Sequence, residues 1–148
     1  MNLFDEFFKI VEGFEKSELK YAVVGGIAMA FHDQPRFTKD IDILVLPEDM
    51  EKITTIFEEI GYFESSAPWT FKNTNLTLHR FMKVEGEDFL VVDILVGNEK
   101  RHKNVVQNAL EEKSEKGVVK IADKNDLIWM KKMRNSDQDK VDIKRLKK

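Results

Sequence analysis

The run Phe89-Leu90-Val91-Val92-Asp93-Ile94-Leu95-Val96 constrains this chain more than any other stretch. It is too short for a buried helix, it is rich in β-branched residues, and its apolar positions do not alternate with polar ones. Such a run reads as a central strand covered on both faces. A sheet with such a strand needs helices to cover it, so the fold must mix the two element types. Asp93 stands inside the run, where an ionised carboxylate is costly without a partner. It is either paired with a Lys or Arg at a fraying strand end, or part of a cluster that a cation neutralises.

The remaining pattern supplies the covering helices. Leu3, Phe4, Phe7, Phe8, Val11 and Phe14 recur at helical spacing and predict an opening amphipathic helix. Tyr21 to Val24 predicts a short strand ended by Gly25-Gly26, and Ile27 to Phe31 a short helix that starts directly from those glycines. Ile41 to Val45 predicts a second strand, closed by Pro47, and Met50 to Ile60 a helix that stops near Gly61. Trp69 to Lys72 and Leu76 to Val84 read as strands joined at Asn73-Thr74-Asn75, with Gly86 turning into the central run. A polar helix over about His102 to Glu112, a strand over Val118 to Ala122, and helices over about Asp123 to Met133 and Asp137 to Leu146 complete the chain. The expectation is one α+β domain, residues 1–148, with a mixed β-sheet flanked by helices.

Composition narrows the function classes. Lys and Arg number 24 against 27 Asp and Glu, a formal charge of −3, which lacks the basic footprint of a duplex-DNA binder. There is no Cys, which removes disulfides, thiolate zinc sites and cysteine nucleophiles, and three His are too few for a multi-histidine metal cage. No apolar run approaches the ~20 residues of a membrane span, and the acidic amphipathic start is unlike a signal peptide. A cytoplasmic protein is expected.

Asp40-Ile41-Asp42 carries the first chemical signal. Side chains alternate along a strand, so the two carboxylates share a face, roughly 6–7 Å apart at Cα. They can close on a hard, oxygen-seeking cation, Mg²⁺ or Mn²⁺; alone, the pair could equally be two solvated acids. Gly25-Gly26, between a strand and a helix, is a place where backbone N–H groups can face a phosphate, or simply a tight turn. A Walker-type GxxxxGK is absent, which excludes a P-loop NTPase.

Together the stretches YAVVGGIAMAFHDQPRFTKDIDILV and FLVVDILV resemble the nucleotidyltransferase superfamily typified by DNA polymerase β. The shared pattern is an apolar strand into Gly-Gly or Gly-Ser, a short helix, Asp-x-Asp on the next strand and a third Asp on a later one. Arg36-x-Thr38-x-Asp40 is similar to the small bacterial members, among them antibiotic-modifying and abortive-infection-toxin-like branches. So is the order Asp126-Leu127, Lys131, Arg134, Asp139-x-x-Asp142-Ile143 near the end of the chain. The resemblance implies metal-assisted transfer of an NMP group from an NTP to a hydroxyl acceptor it does not identify: a small molecule, a protein side chain or a tRNA end. It implies Asp40, Asp42 and Asp93 as catalytic metal ligands, holding two cations ~3.5–4 Å apart, with Asp93 also a candidate base. Gly25 and Gly26 would shape the phosphate cradle, and Arg36 and Lys131 would counter triphosphate charge. Lys131 could also be a plain helix lysine, and Asp139 and Asp142 are expected to cap and pair the last helix. Gly26 stands where many members have Ser.

His79 and Arg80, on a strand near the expected site, are weaker candidates for touching the acceptor. A haloacid-dehalogenase-type phosphatase also uses Asp-x-Asp, but the flanking Arg36-Phe37-Thr38-Lys39 and Leu44 do not fit its motif. The remaining alternative is a catalytically silent protein of the same fold that acts as a binding or toxin–antitoxin partner. So short a chain has little room for an acceptor domain, so a partner chain or homodimer mate is expected to complete the pocket.

Overall fold

The computed structural model describes residues 1–33 and 39–148. The expected central run is there as β6 (Asp88–Gly97), hydrogen-bonded on one side to β5 (Leu76–Glu85) and on the other to β2 (Asp40–Val45). The β2–β6 pairing is parallel and sets Asp42 directly opposite Asp93. Beyond β2 lies β1 (Tyr21–Val24), antiparallel to it, with Val24 opposite Asp42. β8 (Gly117–Ile121) runs parallel to β1, and β7 (Leu110–Ser114) closes that edge as a hairpin with β8. At the other edge β3 (Phe63–Glu64) and β4 (Trp69–Thr70) both pair with β5. Among the described residues this is a mixed, open sheet of eight strands with six α-helices, the expected α+β class.

The two faces are built differently. On one, α1 (Leu3–Lys16) and α3 (Met50–Glu59) cover the residues that alternate with the Asp42 and Asp93 positions: Tyr21 and Val23 of β1, Ile41 and Ile43 of β2, Val92 and Ile94 of β6 and Phe81 of β5. Phe14 meets Tyr21 and Phe57 edge-on, and Phe57 stacks on Phe81 at 4.5 Å. Asn2 caps α1 by accepting from the N–H groups of Phe4 and Asp5. Each buried aromatic ring contributes a large apolar area and a preferred edge-to-face or offset geometry. The other face carries α2 (Gly25–His32), α4 (Lys100–Gln107), α5 (Lys124–Arg134) and α6 (Asp137–Leu146). The last two are joined by Asn135 in the left-handed region (φ 55°), with Ser136 capping α6.

Three local expectations need correction. The polar helix expected to reach Glu112 ends at Gln107, and the next residues form β7. All of β7 is exposed and only Leu110 in it is apolar, so it carries no apolar period; its partner β8 and the turn at Gly117 (φ 132°) make it a strand. The strand expected over Trp69 to Lys72 stops at Thr70, because the chain folds back through Asn73 (φ 62°), closed by Thr74 Oγ1 donating to the Phe71 carbonyl at 2.8 Å. β3 was not expected at all; two exposed residues give no sequence signal. No described helix is long and apolar enough to cross a membrane.

Candidate active site

A cleft of about 530 Å³ opens on the face of α2, α5 and α6, over the middle of the sheet. Its floor comes from residues that the strand period of two sends to one side: Asp40 and Asp42 of β2, Asp93 and Leu95 of β6, Leu76 and Leu78 of β5. Gly25 and Gly26, at the first turn of α2, form one rim, and Leu127, Met130, Lys131 and Arg134 of α5 form the wall opposite. The three expected carboxylates, the glycine pair and Lys131 therefore meet in one place. Arg36, and Thr38 beside it, lie outside the described residues.

Gly25 is where it is because of Asp42. The peptide at Gly25 has φ 68°, which disfavours a side chain, and a Cβ there would overlap the Asp42 carboxylate outright. The helix start and the carboxylate are thus packed as one unit. A Gly25→Ala substitution is expected to cost ~2 kcal/mol or more through strain and overlap. It should also push Asp42 out of the cleft and abolish turnover. A melting curve and an activity assay on the same sample check both; an active, equally stable variant would contradict this packing.

Asp42 is the strained member of the set. Burial pushes its carboxyl up to about 7, and the neighbouring charges of Asp93 and Asp40 push the same way. The fields of Arg134 and Lys131 reach it and act in the opposite direction. No cation pairs with Asp42 among the described residues. Asp93 has a different environment: Arg80 lies opposite it in the β5–β6 register and grips both of its oxygens, Nε at 2.8 Å and Nη2 at 3.1 Å. His79, one residue back, points to the other face of the sheet and pairs with Glu64 at 2.9 Å.

The basic wall is itself tied down. Lys131 is buried, with Nζ 2.9 Å from Asp142 and 3.8 Å from Asp139. Arg134 holds Asp139 with two bonds of 2.9 and 2.7 Å. Burial works to raise the Asp139 carboxyl, but the hydrogen bonds from Arg134 and Ser136 prevail and hold it at about 2. Lys131 is therefore no solvated helix lysine, and Asp139 and Asp142 tie α6 to α5 from inside instead of only capping α6. Arg134 belongs to the wall as much as Lys131 does. Its signal in the sequence is the spacing: three residues on from Lys131, on the same face of the helix.

The donor set fits a hard cation. Asp40 and Asp42 offer carboxylates from one strand face, and the upward displacement of Asp42, from burial first and then from its acidic neighbours, is one that a divalent cation would offset. In their present rotamers, no three acids or imidazoles among the described residues converge to enclose an ion.

A family described as "Nucleotidyl transferase AbiEii toxin, Type IV TA system" matches residues 10–139, which takes in the cleft-lining residues of β1, α2, β2, β5, β6 and α5. The chain belongs to this AbiEii family. It is a nucleotidyltransferase of the DNA polymerase β-like superfamily, as its motifs implied. The fold agrees with three solved structures. One is the lincosamide antibiotic adenylyltransferase LnuA bound to lincomycin, at TM-score 0.59 and 19% identity, covering 97% of this chain and 95% of that one. ANT(2″)-Ia in complex with adenylyl-2″-tobramycin matches at TM-score 0.56 and 14% identity over 96% and 86%. A candidate nucleotidyltransferase from Thermotoga maritima matches at TM-score 0.65 and 13% identity over 93% and 88%. At such identities the likeness concerns the fold. No protein of curated function matches the chain by sequence.

Proposed function

We propose that this AbiEii-family chain moves an NMP group from an NTP to a hydroxyl acceptor, with a divalent cation held at Asp40 and Asp42. The observation that carries this reading is the convergence of three carboxylates, a glycine-led helix start and two basic side chains on one cleft. In the reaction the acceptor oxygen forms a bond to the α-phosphorus, the bond from that phosphorus to the pyrophosphate oxygen breaks, and the hydroxyl proton leaves to a base or to water.

The chain's own groups divide this work. Backbone N–H groups at the start of α2, unobstructed by a side chain at Gly25 or Gly26, bind phosphate oxygens, and the partial positive charge of the helix end favours them. Lys131 and Arg134 supply positive charge on the opposite wall, the first as a compact point and the second as a planar fork. Leu76, Leu78 and Leu95 on the floor, with Leu127 and Met130 on the wall, give the cleft an apolar side suited to a flat base or ring. Asp42, displaced upward to about 7 by burial and its acidic neighbours, shares its site with a proton part of the time near neutral pH and gives it up as positive charge arrives. When bound, Mg²⁺ or Mn²⁺ would neutralise triphosphate charge and acidify the attacking hydroxyl.

LnuA and ANT(2″)-Ia act on antibiotics, whereas the family description is of a toxin, so the acceptor is proposed only as a hydroxyl compound: an antibiotic-like small molecule, a protein side chain or a tRNA end. A second chain that completes the wall of the cleft is part of this proposal.

Thermal unfolding with each NTP, with and without Mg²⁺ or Mn²⁺, tests the reading. A nucleotide at a hundred times its Kd adds ~2.7 kcal/mol, a rise of ~8 °C for a chain of this size. The expected result is a rise with at least one NTP that needs the metal and disappears in Asp42→Asn. A folded sample that shows no rise with any nucleotide would turn the reading to the silent-scaffold alternative.

A further inference from the structure

Arg80 grips one carboxylate of the expected metal set, Asp93, with two bonds. It stands directly across from Asp93 on the neighbouring strand, on the cleft side of the sheet, and donates to both carboxylate oxygens. A two-bond grip of this kind fixes a carboxylate in one orientation and is hard to replace with any other donor. The Arg80 guanidinium is held from behind as well, with its carbon 5.4 Å from the Trp69 ring on β4. The grip on Asp93 keeps Arg80 fully charged, and the charges of Asp40 and Asp42 add to the effect, so its field extends over all three acids.

We propose that the Arg80 guanidinium occupies the place that a second cation would take at Asp93, leaving a site for a single divalent cation at Asp40 and Asp42. The inference rests on the cation-binding reading given above and changes its content: Asp93 is a counter-charge locked to Arg80, and the expected two-cation site becomes a cation plus a guanidinium. Each Asp93 oxygen accepts a bond from Arg80, which holds the carboxylate turned toward its strand neighbour. Trp69, half-exposed at the sheet edge, is then a positioning residue that holds Arg80 over its partner. The arrangement also explains why three carboxylates around one cleft do not converge on a common point: one of them is turned to its own strand neighbour.

The test counts Mn²⁺ ions bound per chain, by titration of the folded protein with Mn²⁺ alone, followed through the electron paramagnetic resonance of the free ion. The intact chain should bind a single ion, and Asp42→Asn none. Arg80→Gln, which releases Asp93, should gain a second ion, and Arg80→Gln with Asp93→Asn should fall back to one. Mn²⁺ should also raise the melting temperature of Arg80→Gln by more than that of the intact chain, since it replaces the lost positive charge. Two ions on the intact chain would overturn the proposal while leaving the cation reading in place. So would a folded Arg80→Gln that still binds one. No ion on the intact chain would overturn both. The count on the intact chain decides even if Arg80→Gln proves too unstable to titrate.

Discussion

Asp42→Asn is expected to make the protein more stable and to stop it working. The carboxyl ionises near 3.8 in the unfolded chain and at about 7 in the fold, raised by burial and then by Asp93 and Asp40. The folded state therefore holds the proton over a range where the unfolded state has lost it. By linkage, Asp42's contribution to stability falls as pH climbs from about 4 to about 7 and stays low above that. A displacement of this size corresponds to ~4 kcal/mol, and ~2 kcal/mol is expected in practice because the carboxylate opens onto water on its cleft side. Asn keeps the shape and drops the charge. In EDTA at pH 8 the variant should melt ~6 °C above the parent, with the gap closing as pH falls toward 4. Adding Mn²⁺ should raise the parent and leave the variant where it is, while NMP transfer by the variant drops by ~10³-fold or more. A variant that melts at or below the parent at pH 8, or one that still turns over, would show that Asp42 is not the strained carboxylate of a cation site.

Strain of that kind was only half legible in the sequence. The strand period placed Asp40 and Asp42 on one face, and the apolar context of Asp93 marked it as a buried charge in want of a partner. Both features are local, and local patterns survive into the fold. Which partner Asp93 takes is not local: Arg80 lies thirteen residues away along the chain, and a β5–β6 register fixed by a turn at Gly86 brings the two side by side. A register shift of one residue would have sent Arg80 to the aromatic face and His79 to the cleft. The same reasoning covers the misread elements. β7 is a strand because β8 is next to it, and charged residues on an exposed edge have no period to betray them. Gly25 was legible as a turn residue but not as a packing partner of Asp42, since that contact crosses from one strand end to the next.

Lys131→Met is the substitution expected to cost the most stability. Its ammonium lies between Asp142 and Asp139, side chains that are 1% and 0% exposed. Asp139 keeps Arg134 and Ser136 when Lys131 is removed, but Asp142 loses a buried opposite charge at 2.9 Å and retains the Gln138 amide at the same distance. Breaking one side of a buried ion pair typically costs ~3–5 kcal/mol, so the variant should melt ~10–15 °C lower, and a urea titration should show the same loss. That alone would not tell a structural lysine from one that serves the nucleotide. Lys131→Met combined with Asp142→Leu does, because removing both charges together is often close to neutral for stability. The double variant should recover most of the lost stability. If Lys131 only ties α6 to α5, the NTP-induced rise in melting temperature should return with it. If Lys131 also faces the triphosphate, as its place in the cleft wall and the reach of its field to Asp42 argue, the fold should return and the nucleotide response should stay weak. The second outcome is expected: a lysine this well paired is held still on the wall opposite the glycines, and a fixed charge needs no reordering when the phosphates arrive.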